Sequence, residues 1–210
     1  MSAPCPPSAP VYYVPVVHVI AILSFPINSF GLYLVIYQSP GMSHYKYCLC
    51  FLQLVTFLTE LQITWVSPGY YFWPLLGGYN TQSILGTLLP VHTFMTAFVF
   101  NLASELPAIL WCFVYRHTAA MELRAGRSRS RRVVKRVSIA ICHLFPFFTA
   151  FCMYKSEIGL DEAYVHLKKN YPQCLYWLKD PLFIVYDYHT NHWVAVAGIS
   201  AVVLVLVFST

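Results

Sequence analysis

The chain has 210 residues and contains four apolar stretches long enough to cross a bilayer, with a fifth beside its last residue. They cover residues 11–36, 47–66, 84–115, 133–154 and 193–208. A membrane-spanning helix needs about 20 mostly apolar residues, and its backbone must satisfy its own hydrogen bonds in lipid. The stretches lack the strict alternation of β-barrel strands. The sequence therefore predicts an all-α fold, a polytopic transmembrane helix bundle with five helices.

The composition favours the same environment. Hydrophobic residues make up 58% of the chain and charged residues only 10%, whereas a soluble domain has about 25% charged residues. Aromatic residues reach 17%, and Tyr and Trp suit the membrane–water interface. The first apolar stretch has no basic lead and is too long for a secretory signal peptide. We expect a single transmembrane domain over residues 1–210, with that stretch retained as its first helix.

The basic residues predict an orientation. Residues 116–136 hold seven Arg and one Lys against a single acid, Glu122. A nucleic-acid site is disfavoured because the run lies between two apolar stretches, and the positive-inside rule explains it instead. If residues 116–136 form a basic cytoplasmic loop, Lys46 falls on the same side. The N-terminus and a long, partly ordered loop at 155–192 are then extracellular.

Polar residues inside the second and third stretches form a candidate inner network. On a helix, Gln53, Thr56 and Glu60 share one face, and Asn101 and Glu105 lie one turn apart on another. An acid within the hydrocarbon costs about 2.5–3.5 kcal/mol on insertion scales, so a partner, water or protonation must offset it. Two interpretations stay open: a buried polar or ion site that couples helices, and hydrogen bonds that serve packing alone.

The sequence favours neither a metal site nor an enzyme. His18, His92 and His143 fall on different helices, whereas metal binding needs clustered ligands. The chain contains no glycine-rich phosphate loop, no Gly-x-Ser-x-Gly and no His-Glu-x-x-His. We therefore expect no catalytic residues, no metal and no cofactor.

Two cysteines lie outside the apolar stretches, Cys5 and Cys174. Both fall on the predicted extracellular side, where an oxidising compartment permits a disulfide. A Cys5–Cys174 bridge and two free thiols are the alternatives.

Several short motifs follow one another along the first half of the chain. They are Pro26-x-Asn28, Tyr33-Leu-x-x-x-Gln-Ser-Pro40, Phe51-Leu-Gln53, Leu58-Thr-Glu60, Pro74-x-x-x-Gly78-Tyr79 and Cys112-Phe-x-x-Arg116-His117. In this order the chain resembles nematode serpentine chemoreceptors of class i (Sri), with the related class h (Srh) a near second. The resemblance covers about residues 10–125 well and the remainder loosely.

The resemblance implies a seven-helix receptor of the G-protein-coupled type that detects small environmental molecules in the plasma membrane of sensory neurons. Its partners would be the lipid bilayer, a small-molecule ligand and a heterotrimeric G protein, without nucleic acid. The chain shows five apolar stretches where that family has seven helices, which suggests a chain truncated after five helices. Two alternatives therefore stay open: a truncated or non-signalling product, and a transporter or channel component.

The resemblance also places candidate functional residues. A ligand pocket would open outward beside His92, Thr96 and Phe100, with residues 155–192 above it. Cytoplasmic coupling would fall on Tyr115, Arg116 and His117, where receptors often carry an Asp-Arg-Tyr triplet. Because no acid precedes Arg116, an interfacial arginine that anchors the helix end by snorkelling is the alternative.

Overall fold

The computed structural model describes residues 5–6, 8–38, 45–72, 74–81, 89–125 and 129–209. In chain order the elements are α1 (Tyr13–Tyr37), α2 (Tyr45–Leu61, continued by a π-helical turn over Gln62–Val66), β1 (Gly69–Tyr71), β2 (Gly77–Asn80), α3 (Val91–Ala125), α4 (Arg129–Lys155), α5 (Leu160–Asn170), a 3-10 helix (Pro172–Lys179), β3 (Phe183–Val185) and α6 (Trp193–Ser209). Helices dominate, and the predicted all-α class is confirmed.

Within the described residues, four helices are long and apolar enough to cross a membrane. They are Tyr13–Tyr37, Tyr45–Val66, Val91–Met121 and Arg136–Lys155, and α6 is a shorter apolar helix of 17 residues. Their outer faces carry bare apolar side chains; Ile22 and Leu23 of α1 are each 61% exposed. Apolar surface of this extent is unfavourable in water. The faces are the contact surface for lipid, and the protein is an integral, multi-pass membrane protein.

The long helices pack around α3. It contacts α2 on one side and α4 on the other, while α1 packs on α2 and α6 packs on α4. α1 begins, α2 ends, α4 ends and α6 begins at one end of the bundle. We name this the capped end. The opposite end carries Lys46, Arg116 and Arg136, and we name it the basic end.

The segment 116–136, expected to be a loop, is mostly helical. α3 runs on to Ala125 and α4 begins at Arg129, so only residues 126–128, outside the described residues, fall between them. Ala, Met, Leu, Glu and Arg, which fill the end of α3, are all good helix formers. Hydropathy marks where a helix leaves the hydrocarbon, and these two helices continue beyond that point.

A small folded cap covers the capped end. It comprises residues 67–72, 74–81 and 156–192 together with Cys5. Strands β1, β2 and β3 form an antiparallel sheet in that order, with Gly69 opposite Asn80 and Gly77 opposite Val185. The cap has its own buried cluster, which includes Phe72, Leu75, Leu167, Cys174, Trp177 and Val185. The expected extracellular loop 155–192 is thus an ordered unit of α5, the 3-10 helix and β3.

The middle strand of this sheet requires glycine. A Cβ on Gly78 would overlap the Tyr70 carbonyl oxygen of β1 and lie 2.9 Å from the Tyr71 Cα. These are backbone atoms, so only separation of the strands could relieve the clash. We expect Gly78→Ala to destabilise the cap by about 1–3 kcal/mol.

This effect is measured by heating the purified protein in detergent and monitoring unfolding of the cap by its susceptibility to proteolysis. Gly198→Ala is the matched control, because a Cβ on Gly198 of α6 meets no atom within 4 Å. Equal stability of the two variants would contradict the packing described for β2.

Candidate functional site

A polar contact inside the bundle joins α1 to α2. The Asn28 Nδ2 atom donates to Glu60 Oε2 at 2.6 Å, and Gln53 Nε2 donates to Asn28 Oδ1 at 2.8 Å. Gln53 and Glu60 are two helical turns apart and therefore share the face of α2 that meets α1. Asn28 lies between them, and both its amide nitrogen and its amide oxygen form a hydrogen bond. All three side chains are half-buried.

A second polar contact joins α2 to α3. Asn101 Nδ2 donates to Gln62 Oε1 at 2.6 Å, and Gln62 Nε2 donates to the Phe94 carbonyl at 2.9 Å. Gln62 is buried and begins the π-helical turn of α2. It lies off the face that Gln53 and Glu60 share, because it meets α3 whereas those two residues meet α1. Sequence reasoning therefore missed Gln62 as the partner of Asn101.

The predicted inner network is thus divided in the structure. Gln53 and Glu60 meet through Asn28, and Asn101 meets Gln62 instead of Glu105. The Thr56 hydroxyl donates to the Leu52 carbonyl of its own helix. Glu105 is half-buried, and in the described part of the chain its side chain forms no hydrogen bond or ion pair. The only feature of the sequence that drew attention to Asn28 was the Pro-x-Asn motif of the first apolar stretch.

His92 connects three elements at the capped end. Its ring is buried, with Nε2 3.0 Å from the Tyr154 carbonyl oxygen and Nδ1 3.0 Å from the Tyr186 hydroxyl. Because a carbonyl only accepts, Nε2 carries the proton and Nδ1 accepts from Tyr186. The imidazole therefore ties α3 to the end of α4 and to the cap.

The three predicted pocket residues do not share one cavity. His92 lines a cavity of about 580 Å³ bounded by the start of α3, the α4–α5 connection and β3. Thr96 donates to the His92 carbonyl within α3. Phe100 packs edge-to-face on Phe147 of α4, with ring centroids 5.2 Å apart, and lines a second cavity of about 350 Å³ between α2, α3 and α4.

The predicted coupling residues lie at the basic end. Tyr115 stacks on Tyr45 of α2, with ring centroids 5.5 Å apart. Arg116 and His117 are exposed in the same turn. The stacked pair fixes α3 against α2 where the basic surface begins.

A disulfide joins Cys5 to Cys174, with Cα atoms 5.5 Å apart. Both residues are buried in the cap core. The Tyr176 hydroxyl lies at hydrogen-bond distance from the carbonyl oxygens of Cys5 and Pro6. The bridge and this hydroxyl attach the N-terminal segment to the 3-10 helix, 169 residues away along the chain.

Comparison with known proteins adds the family. The profile described as "Serpentine type 7TM GPCR chemoreceptor Sri" matches residues 3–210. The chain belongs to the Sri family. No curated protein and no solved structure matches the chain. This Sri chain is accordingly a chemoreceptor-like membrane protein from a non-enzyme class, and its family implies a lipid bilayer and a small-molecule ligand as partners.

The cap of this Sri chain contains a buried carboxylate. Asp187 is within 3.1 Å of His166 of α5 and accepts hydrogen bonds from the Thr190 hydroxyl at 2.7 Å and the His189 backbone at 3.0 Å. Burial by itself raises the pKa of Asp187. The hydrogen bonds from Thr190 and His189, with the neighbouring His166, outweigh it and hold that pKa below its usual value of 3.8.

We expect Asp187→Asn to destabilise the cap at pH 7 by about 1–2 kcal/mol, because the charged acceptor of these bonds is lost. A lowered folded pKa adds stability above the usual pKa of 3.8, and this stability disappears as the pH falls through the folded pKa. The difference between wild type and Asp187→Asn should therefore shrink below about pH 4.

Thermal unfolding at a series of pH values measures that difference. Asp161→Asn, which changes an exposed acid of α5, is the control for a general loss of negative charge. A difference in stability between wild type and Asp187→Asn that stays constant down to pH 2 would contradict a charged Asp187.

Proposed function

We propose that this Sri chain is a chemosensory receptor for small environmental molecules in the plasma membrane of sensory neurons. Its cap and N-terminus face the outside, and its basic end meets a heterotrimeric G protein. The family match over residues 3–210 is the observation that carries the proposal. The division of the bundle into a disulfide-bonded capped end and a basic end supports the orientation.

Two independent features support that orientation. The Cys5–Cys174 bridge suits an oxidising compartment, which favours a cap outside the cell. The other end carries Lys46, Arg116 and Arg136, and such residues favour the cytoplasmic side.

The cavity at the capped end is the proposed entrance for the ligand. Its volume of about 580 Å³ falls within the range of roughly 300–1,000 Å³ for small-molecule sites. His92 and Tyr186 form part of its wall, and the same two side chains hold the cap to α3. A ligand that separates Tyr186 from His92 would change how the cap, α3 and α4 pack together. A ligand shifts such an equilibrium only by its difference in affinity for the two arrangements.

The polar contacts would then carry the change across the bundle. Gln62 and Asn101 connect α3 to α2, and Glu60 and Asn28 connect α2 to α1. Movement of α3 would reach the basic end at Tyr115, Arg116 and His117, the proposed contact for the G protein. A two-state rearrangement of these contacts is the physical requirement of the proposal.

Orientation is tested on intact cells expressing the chain. Trypsin added outside should cut the cap at Lys168 or Lys169 after reduction of the disulfide, and should leave the segment 116–136 uncut until the membrane is permeabilised. Cleavage of the basic segment in intact cells would overturn the orientation.

Function is tested by ligand-dependent recruitment of a G protein to the expressed chain, across a panel of small volatile and water-soluble molecules. Arg116→Glu at the basic end should abolish recruitment, and Lys168→Glu in the cap is the matched control and should not. Ligand binding without recruitment would mean a non-signalling product. Ion flux through the purified chain in vesicles, without ligand-dependent recruitment, would favour a transporter or channel component and overturn the receptor proposal.

A further inference from the structure

The second cavity lies at membrane depth, away from the cap. It has a volume of about 350 Å³ and is bordered by the middle portions of α2, α3 and α4, near Phe51, Pro107 and Pro146. These residues fall well inside the helices that are apolar enough to span a bilayer. Among the described residues, the lining carries no charged side chain, and its polar residues include Asn101 and His143. A molecule that occupies this site must therefore be mainly apolar.

Two lining residues, His143 and Asn101, each offer an acceptor atom. His143 Nδ1 is 2.7 Å from the Ile139 carbonyl oxygen, so Nδ1 carries the proton and a neutral ring leaves a lone pair on Nε2. One N–H of the Asn101 amide donates to Gln62 Oε1, and the Asn101 Oδ1 atom remains as an acceptor. Within the described residues no donor is bonded to His143 Nε2 or to Asn101 Oδ1.

A backbone acceptor adds to this pair. Pro146, inside α4, has no N–H to give to the Cys142 carbonyl one turn earlier. Cys142 also lines the cavity. In hydrocarbon no water is at hand to satisfy such groups, and leaving a polar group unpaired costs free energy. A ligand with an O–H group would supply the missing donor.

The imidazole that would receive this donor is held in place. His143 is stacked on Phe51 of α2 at a centroid distance of 6.3 Å and contacts the edge of Trp111 of α3 at 5.2 Å. A preorganised acceptor loses little entropy on binding. The ring, although exposed, therefore presents a hydrogen-bond site in the wall of an apolar cavity.

We propose that the α2–α3–α4 cavity binds a lipophilic alcohol, an apolar molecule with a single hydroxyl that reaches the site through the bilayer. Its hydroxyl donates to His143 Nε2 or to Asn101 Oδ1, and its apolar body fills the space beside Phe51 and Phe147. The volume is at the lower end of the range of roughly 300–1,000 Å³ for small-molecule sites. This favours a medium-chain alcohol over a whole membrane sterol. The site is separate from the capped-end cavity and does not depend on signalling.

The test is photolabelling of the full chain in phosphatidylcholine vesicles with a diazirine analogue of 1-octanol, followed by mapping of the adduct. We expect the label on the segments of α3 and α4 that line the cavity. 1-Octanol should compete about fivefold better than its methyl ether, which lacks the donor, because one hydrogen bond is worth about that factor. Equal competition by the ether, or label spread over the outer face of α1, would overturn the proposal.

Two variants test the same site, one by filling the cavity and one by removing the hydrogen-bond acceptor. Leu54→Trp should fill the cavity and His143→Phe should remove the acceptor, and each should lose most of the labelling. Leu23→Trp and His18→Phe on α1 are the matched controls and should label as wild type does. Displacement of the probe by cholesterol as readily as by 1-octanol would assign the site to a membrane lipid and overturn the choice of ligand. Labelling reports occupancy alone, so the outcome is independent of G-protein recruitment.

Discussion

Replacing Cys5 and Cys174 with serine is expected to lower the stability of the cap by about 2–5 kcal/mol, the usual effect of losing a native disulfide. The bridge ties the N-terminal segment to the 3-10 helix of the cap, and such a crosslink restricts the conformations open to both segments when the cap unfolds. Both cysteines also belong to the buried core of the cap, together with Phe72, Leu167 and Trp177. The variant therefore loses both a constraint and packing.

The loss should be confined to the cap. The spanning helices satisfy their own backbone hydrogen bonds in lipid and do not depend on the bridge. Proteolysis after Lys168 and Lys169 should accelerate in the variant, while the helical circular dichroism signal of the protein in detergent stays nearly unchanged. Cys50→Ser, at a free cysteine within α2, is the control for replacing a thiol.

Mass spectrometry checks the bridge directly. Reduction of the wild-type chain should add the mass of two hydrogens. The mass of the Cys5→Ser variant should not change on reduction. An unchanged mass on reduction of the wild type, or equal protease resistance of the cap with and without the bridge, would contradict the disulfide.

The membrane-spanning helices could be predicted from the sequence because lipid imposes a simple requirement. A stretch such as 11–36 must be apolar along its whole length, and this is visible without knowledge of its neighbours. The helix ends at the basic side could not be predicted in the same way. Hydropathy falls at Arg116, yet α3 continues to Ala125, because helix formation does not depend on lipid.

The sheet of the cap left almost no signal in the sequence. Its strands have three or four residues, too few for an alternating pattern, and the Gly77-Gly78 pair is typical of a turn. Its pairing is between distant segments, with Gly77 opposite Val185. Such partners are set by tertiary packing and not by local preference.

Only part of the candidate site could be predicted, because its contacts also depend on tertiary packing. Helical periodicity placed Gln53 and Glu60 on one face, but it gives no information about which residue of another helix meets that face. Asn28 and Tyr186, the partners of Glu60 and His92, come from other parts of the chain. Residues that share a helix face can be found from spacing, whereas contacts between helices require the packing itself.

Asn28→Leu is expected to destabilise the bundle by about 1–3 kcal/mol for each of two groups that it leaves unpaired. These are the carboxyl group of Glu60 and the amide of Gln53, whose hydrogen bonds to Asn28 are 2.6 and 2.8 Å long. Water is scarce at this depth, so water molecules cannot take over the lost hydrogen bonds without a large cost in free energy.

Thermal unfolding in vesicles or detergent measures the loss. Thr56→Val, on the same helix, is the control, because the Thr56 hydroxyl bonds only to its own helix and its removal should change little.

The triple variant Asn28→Leu, Gln53→Leu, Glu60→Leu separates packing from function. Because all three polar partners are removed together, no group is left unpaired, and its stability should return towards that of wild type. If the contact serves only packing, the triple variant should also respond to ligand as wild type does. If it carries the change across the bundle through α2 and α1, the triple variant should fold, bind ligand and fail to recruit the G protein. A triple variant that is less stable than Asn28→Leu would contradict the view that unpaired polar groups cause the loss.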